Sequence, residues 1–378
     1  MTSRERLLTT LSGGIPDCVP VMPDFSNMIP CKLTGKPFWD IYLYNDPPHW
    51  KAYLNAAKHF NVDSLMDGYF PLSFPEDTPQ DGPQWEQFIV YKDPGRIVTQ
   101  SSYEEKGERH WAERVTVYYV ADPPTWGVPP GKIGLPLVPE RWEPVEGVKP
   151  LDTSPEGFAK AKAELGDQGL MGVYVCSTCG LGNTEDIYNY YDHPDKHEEW
   201  ARQRVEWMEH RYAQVMSMET KPDFLAVGGS GTLVFQTVDI FRQLAFPAVK
   251  KCVEMATRDG LMTHIHSCGP EKELVKIMAE ETSLSVIDPL EMPPMGDCDL
   301  AELKRLYGDK ITLKGNLHTT ETMLKGTVED VIEASKKAID AAAAGGRFVL
   351  STGDQCGRDT PFENIEAMIE TARTYGKY

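Results

Sequence analysis

The sequence predicts an α/β fold, a closed (β/α)8 TIM barrel with an insertion near its mouth. Two observations carry this. Short β-rich runs recur along the chain, each followed by a helix-like stretch, which is the signature of βα units. The chain has 378 residues, and α/β barrels of this order fold as one unit. The runs in order are Val19–Met22, Val62–Met66, Leu170–Cys176, Phe224–Val227, Leu261–Ile265, Leu284–Ile287, Ile311–Lys314 and Phe348–Leu350. Eight parallel strands favour closure over a doubly wound sheet.

Several helices announce their ends. Ser154-Pro155, Gly269-Pro270 and Thr360-Pro361-Phe362-Glu363 read as helix starts, the last with Thr360 capping and Glu363 closing a capping box. A helix from about Thr327 stops at Gly345-Gly346. One segment breaks the rhythm. Arg96–Ser102 and Trp111–Val120 alternate like an antiparallel hairpin, and 123–150 holds eight prolines. We read Pro71–Pro150 as an insertion on a single barrel domain spanning 1–378. It carries Trp85, Trp111, Trp126 and Trp142, which supply a small satellite core or the wall of a lid over the mouth.

Charge and composition narrow the function. With 38 basic and 57 acidic side chains the formal net charge is −19, which argues against nucleic acid as a partner. No stretch resembles a membrane span, and the start of the chain lacks an apolar core long enough for export. Eight cysteines are too sparse for a disulfide scaffold, so a cytoplasmic protein with reduced or metal-bound thiols is expected. Assembly into a homo-oligomer is left open.

The sharpest motif is His264-Ile265-His266-Ser267-Cys268-Gly269 at the end of a predicted strand. Alternation puts His264, His266 and Cys268 on one face if the extended geometry persists. Imidazole plus thiolate suits zinc. Two later strand ends offer a third donor, Asp288-Pro289-Leu290-Glu291 and Thr352-Gly353-Asp354-Gln355-Cys356, because all barrel strands finish at one face. The ligand set chosen is His266, Cys268 and Cys356, with Glu291 as a fourth. Three protein donors leave zinc an open position, the catalytic arrangement. Asp24, Tyr69, Phe70 and Cys176 are candidates for the substrate pocket. Cys176-Ser177-Thr178-Cys179 lacks a second pair with metal spacing and reads as structural or pocket-lining. Gly228-Gly229-Ser230-Gly231 fits no dinucleotide fingerprint.

The C-terminal third contains Lys314-Gly315-Asn316-Leu317, then Leu324 to Asp330, then Gly346-Arg347-Phe348-Val349-Leu350, then Asp359 to Ile365. Arg4-Glu5-Arg6-Leu7 and Asp17-Cys18-Val19-Pro20-Val21 stand near the N-terminus. With these the chain resembles the uroporphyrinogen decarboxylase superfamily, which implies a (β/α)8 barrel. His266-x-Cys268 with a late cysteine resembles its corrinoid-dependent methyltransferases, which carry zinc on such a set. The decarboxylases hold tetrapyrrole carboxylates with an arginine-rich N-terminal motif. Val19–Met28 has no arginine here, which disfavours decarboxylation.

One departure matters: in the family the late loop commonly reads Gly-Cys, whereas here Gly353 is followed by Asp354 and Cys356 comes two residues later. Either Cys356 still reaches the metal or Asp354 has replaced a thiolate; a soft donor beside His and Cys favours Cys356. The resemblance implies a zinc- and corrinoid-dependent methyltransferase; the long insertion favours one that moves a methyl group from a small methoxylated substrate to the cobalt of a separate corrinoid protein, and the aromatic-rich insertion with Tyr69-Phe70 favours an aromatic substrate. The alternative is a methylcobalamin:thiol enzyme of the coenzyme M type. The rival class is a binding protein with a structural zinc.

Overall fold

The computed structural model describes residues 1–77 and 82–378, so four positions of the Pro71–Pro150 segment lie outside the described residues. Along the chain, β1 (Ser64–Met66) precedes five strands, β2 (Glu86–Lys92), β3 (Arg96–Glu105), β4 (Glu108–Tyr119), β5 (Thr125–Val128) and β6 (Glu143–Pro144). Six more follow: β7 (Gly169–Tyr174), β8 (Phe224–Ala226), β9 (Met262–His266), β10 (Val286–Asp288), β11 (Thr312–Leu317) and β12 (Phe348–Thr352). The chain divides into two compact units, one of Met1–Asp24, Ala57–Leu72 and Pro155–Tyr378, the other of Phe25–Ala56 and Ser73–Ser154.

The first unit is the barrel. Its sheet runs β1-β7-β8-β9-β10-β11-β12, every pair parallel. The predicted first strand, Val19–Met22, is the eighth stave. Met22 N donates to Leu350 O (2.9 Å) and Leu350 N to Pro20 O (2.9 Å), while Asp63 N donates to Val21 O (3.0 Å). It therefore bonds β12 on one side and the residue before β1 on the other. Pro20 and Pro23 have no N–H to give a ladder, which reduces this stave to one parallel bridge, Val21 with Leu350.

The strands are buried on both faces, as a helix-covered parallel sheet requires; all five residues of β12 and all six of β11 are buried. The helices between them bury one stripe. In Val328–Ala342 the buried set is Val331, Ser335, Ala338, Ile339 and Ala342, the spacing of one helical face. Thr327 and Asp330 cap it reciprocally, Asp330 N to Thr327 Oγ1 at 3.2 Å and Thr327 N to Asp330 Oδ2 at 2.8 Å.

Two predicted starts are corrected. The last helix, Phe362–Thr374, has Pro361 at its N-cap with no side-chain cap bond; Thr360 lies one residue too early to close the box with Glu363. The helix after Gly269-Pro270 begins at Lys272. Its first N–H groups are capped from outside by Asp297 Oδ1, which accepts from Glu271 N (2.8 Å) and Lys272 N (3.0 Å).

The second unit holds an antiparallel sheet in the order β5-β4-β3-β2-β6. The expected hairpin is β3–β4. Glu105 pairs with Glu108, leaving Lys106 (φ 54°) and Gly107 (φ 84°) as a two-residue loop with both residues left-handed, the turn whose twist matches paired strands. The satellite core there is not made of tryptophan. Ile89, Ile97, Tyr118 and Leu43 form one cluster and Val98, Val115 and Val117 another. Trp85, Trp126 and Trp142 are 52%, 64% and 46% exposed; Trp85 and Trp142 lie just before β2 and β6, and Trp126 sits on the edge strand β5. Among the described residues no helix is long and apolar enough to cross a membrane.

Candidate active site at the strand ends

Three neighbouring strands of the barrel place polar side chains near their ends in one layer. The register pairs His266 of β9 with Asp288 of β10, and Ile287 of β10 with Leu313 of β11, so Lys314 follows beside Asp288. Asp288 Oδ1 accepts from His264 Nε2 at 3.0 Å and from His266 Nδ1 at 3.1 Å. Its second oxygen, Oδ2, bonds Lys314 Nζ. His264 and His266 thus share a face, as alternation requires, and His264 Nδ1 stands 2.8 Å from Asp67 Oδ2 just past β1. All these groups except His266 and Asp67 are almost fully buried.

Buried charge needs partners, and the protonation tendencies show how they are supplied. Burial opposes ionisation of Asp67, yet His264, His266 and Lys314 hold its carboxyl below the usual range. Burial lowers Lys314 despite the carboxylates of Asp24, Asp67 and Asp354, and lowers His264 despite Asp67. Burial also pulls on His266, but its bond to Cys268 and the fields of Asp24 and Asp354 lift it to about 9.

The predicted residues gather unevenly. His266 and Cys268 are joined by a side-chain hydrogen bond, and Cys268 Sγ lies 2.8 Å from Ser230 Oγ in the Gly228–Gly231 turn. Glu291 is at the same place, its Oε2 accepting from Gly269 N; burial raises its carboxyl. Asp24 joins the end of β12: its N–H donates to Thr352 Oγ1 at 2.9 Å, and its carbonyl accepts from Cys356 N at 2.8 Å.

Cys356 is fully buried and bonds Thr352, and burial pushes its thiol up to about 12. It shares no hydrogen bond with His266 or Cys268. The β12 group facing the imidazole is Asp354, whose Oδ1 is 3.9 Å from His266 Nε2; Asp354 takes φ 118° to do so, a conformation uncommon outside glycine. Tyr69 is half-buried past β1. Phe70 and Cys176 stand apart from the cluster. Phe70 packs edge-on against Phe158 at 5.7 Å, and Cys176 is buried in hydrogen-bond contact with Cys252.

The donor chemistry suits zinc in part. His266 offers one ring nitrogen while Asp288 holds the other, the usual support of a metal-bound histidine, and Cys268 adds a sulfur. Among the described residues, no three His, Cys, Asp or Glu side chains are already gathered at ion-binding spacing. Sequence reasoning missed Asp67 and Lys314, although a lysine ending an apolar strand run was a visible signal.

Residues 230–375 match the uroporphyrinogen decarboxylase (URO-D) family, a stretch that includes β9 to β12 and the whole His266–Cys268–Asp288–Lys314 layer. The methylcobamide:CoM methyltransferase MtaA of Methanosarcina barkeri is 28% identical over 167 residues, 43% of this chain and 45% of that protein. The methylcobamide:CoM methyltransferase MtbA of Methanosarcina mazei is 27% identical over 139 residues, 36% of this chain and 37% of that protein. The chain thus matches less than half the length of these curated relatives. A solved methyltransferase structure from Methanosarcina mazei superposes with a TM-score of 0.59 at 17% identity, covering 99% of both chains, which supports the barrel fold. Residues 230–375 are thus similar to the uroporphyrinogen decarboxylase family, and the relatives that the chain matches are named as methyltransferases.

Proposed function

We propose that the protein is a corrinoid-dependent methyltransferase that demethylates a small methoxylated aromatic substrate and passes the methyl group to the cobalt of a separate corrinoid protein. The observation that carries this is the His266–Cys268 pair at the end of β9, braced by Asp288 and Lys314. Zinc fits there with His266 and Cys268 as ligands and Cys356 or Asp354 as the third; when bound it supplies a Lewis acid for the leaving oxygen.

The chain's own residues prepare that place. Asp288 fixes the His266 ring so that Nε2 faces Asp354, and Lys314 balances Asp288 so that the carboxylate stays with the histidines. Asp354 and Glu291 border the pair with two further carboxyls. With Cys356 as the third ligand, two thiolates and one imidazole would balance the charge of Zn²⁺, and the metal would stabilise negative charge on a leaving oxygen. Acidic surface charge favours a corrinoid protein with a basic docking patch. A cytoplasmic location and a single functional barrel accord with this reading.

The second reading reverses the direction: methyl transfer from methylcobalamin to a thiol, favoured by the activity that the relatives' names state. One experiment separates them. Reduced corrinoid protein is mixed with the enzyme and a panel of methoxyarenes, and the conversion to methylcobalt is followed by absorbance. Methylcobalt formation supports demethylation; methylcobalamin plus a thiol giving a methyl thioether instead supports the reverse; neither product refutes methyl transfer. Metal analysis runs beside it. About one zinc per chain, lost in Cys268→Ala, is expected. Loss in Cys356→Ala but not Asp354→Ala names the cysteine as third ligand, the opposite pattern names the aspartate, and retention in all three refutes the site.

A further inference from the structure

The barrel unit contains a cavity lined by none of the strand-end cluster's residues. It has a volume of about 480 Å³ and lies between the helices Thr184–Asp192 and His197–Ser217, within the size range of small-molecule pockets. Trp200, Arg204 and Trp207 fall four and three residues apart on the longer helix, so they form one stripe, and all three line the cavity.

The walls are fixed in advance. His197 Nε2 bonds Tyr190 O at 2.7 Å and its ring stacks on Tyr190 at 4.0 Å, which locks the two helices together. Gly180 N donates to Gln236 Oε1 at 2.7 Å and Gln236 Nε2 to Thr178 O at 2.7 Å. A side chain at Gly180 would meet Gln236 Oε1 and Leu244 Cβ, both at 2.9 Å, so glycine keeps this wall open.

Arg204 is the unusual member. Its guanidinium has five N–H donors; Nη1 donates to Cys179 O at 3.2 Å and Nη2 to Gly180 O. It forms no ion pair with a carboxylate among the described residues, and burial lowers its pKa from the ordinary arginine value. A partly desolvated cation with donors to spare is stabilised by an anion, and a planar fork matches a carboxylate best. The two indoles flanking it offer flat apolar faces to a ring. Asp186, also on the wall, already accepts from Gly182 N (2.8 Å) and Asn183 N (3.2 Å), and its field offsets only part of the effect of burial on Arg204.

We propose that this cavity is a binding site for a small aromatic monocarboxylate, its carboxylate on Arg204 and its ring between Trp200 and Trp207. The proposal stands apart from the methyl-transfer reading and its test needs neither metal nor corrinoid. Calorimetric titration of the full chain with benzoate, with benzamide as the neutral isostere, is the measurement. Saturable benzoate binding is expected, at least about tenfold tighter than benzamide. Arg204→Gln is expected to weaken benzoate about tenfold or more, and Trp207→Leu, at an exposed position, about threefold or more with an unchanged melting temperature. No saturation by about 10 mM benzoate, equal binding of benzamide, or wild-type affinity in Trp207→Leu overturns it. The last arm decides the matter even if Arg204→Gln does not fold.

Discussion

The ends of β9 and β12 each present a thiol near the candidate site, and they are built in opposite ways. At β9, Cys268 is half-exposed and its neighbour His266 is embedded in carboxylates and a lysine. At β12, Cys356 is fully buried, bonded to Thr352, with its thiol pushed up to about 12 by burial and the field of Asp24. One end is held by charge and the other by packing. The lesson is that equal residue types at equivalent strand ends do not make equal donors. What surrounds each strand end decides whether its sulfur is open to solvent or packed away.

The largest effect should come from breaking the charged end. Lys314→Met leaves Asp288 buried with only the two histidines, and loss of one partner of a buried pair costs about 3–5 kcal/mol. Chemical unfolding of Lys314→Met should show a loss of that order, and Asp288→Leu combined with Lys314→Met should recover part of it. Cys356→Val at the packed end changes little volume and should cost under about 1.5 kcal/mol. Equal losses at the two ends would erase the distinction.

Much of the barrel was legible because parallel strands buried on both faces leave continuous apolar runs, and seven of the eight appear within two or three residues of where they were expected. The eighth, Val19–Met22, was readable as β-rich but not as a bridge, since Pro20 removes a donor without changing apolar content. His266 and Cys268 were visible through their two-residue spacing at a strand end. Asp67 was not, and Lys314, though visible at the end of an apolar run, could not be given a partner, because their role depends on which strands become neighbours, a long-range fact that local pattern does not carry. The same limit applies to the tryptophans of the second unit: ring size suggested a core, whereas Trp85 and Trp142 fall just before strands and Trp126 on an edge strand, outside the aliphatic clusters.

The next comparison is chemical. The Cys356 pKa is raised above its ordinary value of 9 to about 12, so the neutral thiol persists across pH 7–10 in the folded, metal-free protein. The unfolded chain loses that proton first, and the Cys356 contribution to stability is therefore complete below pH 9 and declines between about 9 and 12. Iodoacetamide labelling read by mass spectrometry at pH 8 should modify Cys268 at least about tenfold faster than Cys356. Comparable rates would mean that β12 is no better closed than β9.

The smallest expected effect tests how Cys356 is reached. Thr327 caps the helix that links β11 to β12, well apart in sequence from both thiols, and Thr327→Ala should cost about 1 kcal/mol. A fully buried thiol is labelled only when the structure opens. If that opening is global unfolding, a loss of about 1 kcal/mol raises the open population about fivefold, and Cys356 labelling should rise by the same factor when opening is fast relative to alkylation. Cys268, already half-exposed, should keep its rate. Acceleration of Cys356 alone is the expected result. An unchanged Cys356 rate would show that the β12 end opens locally, and the packed end would then be the looser of the two despite its burial.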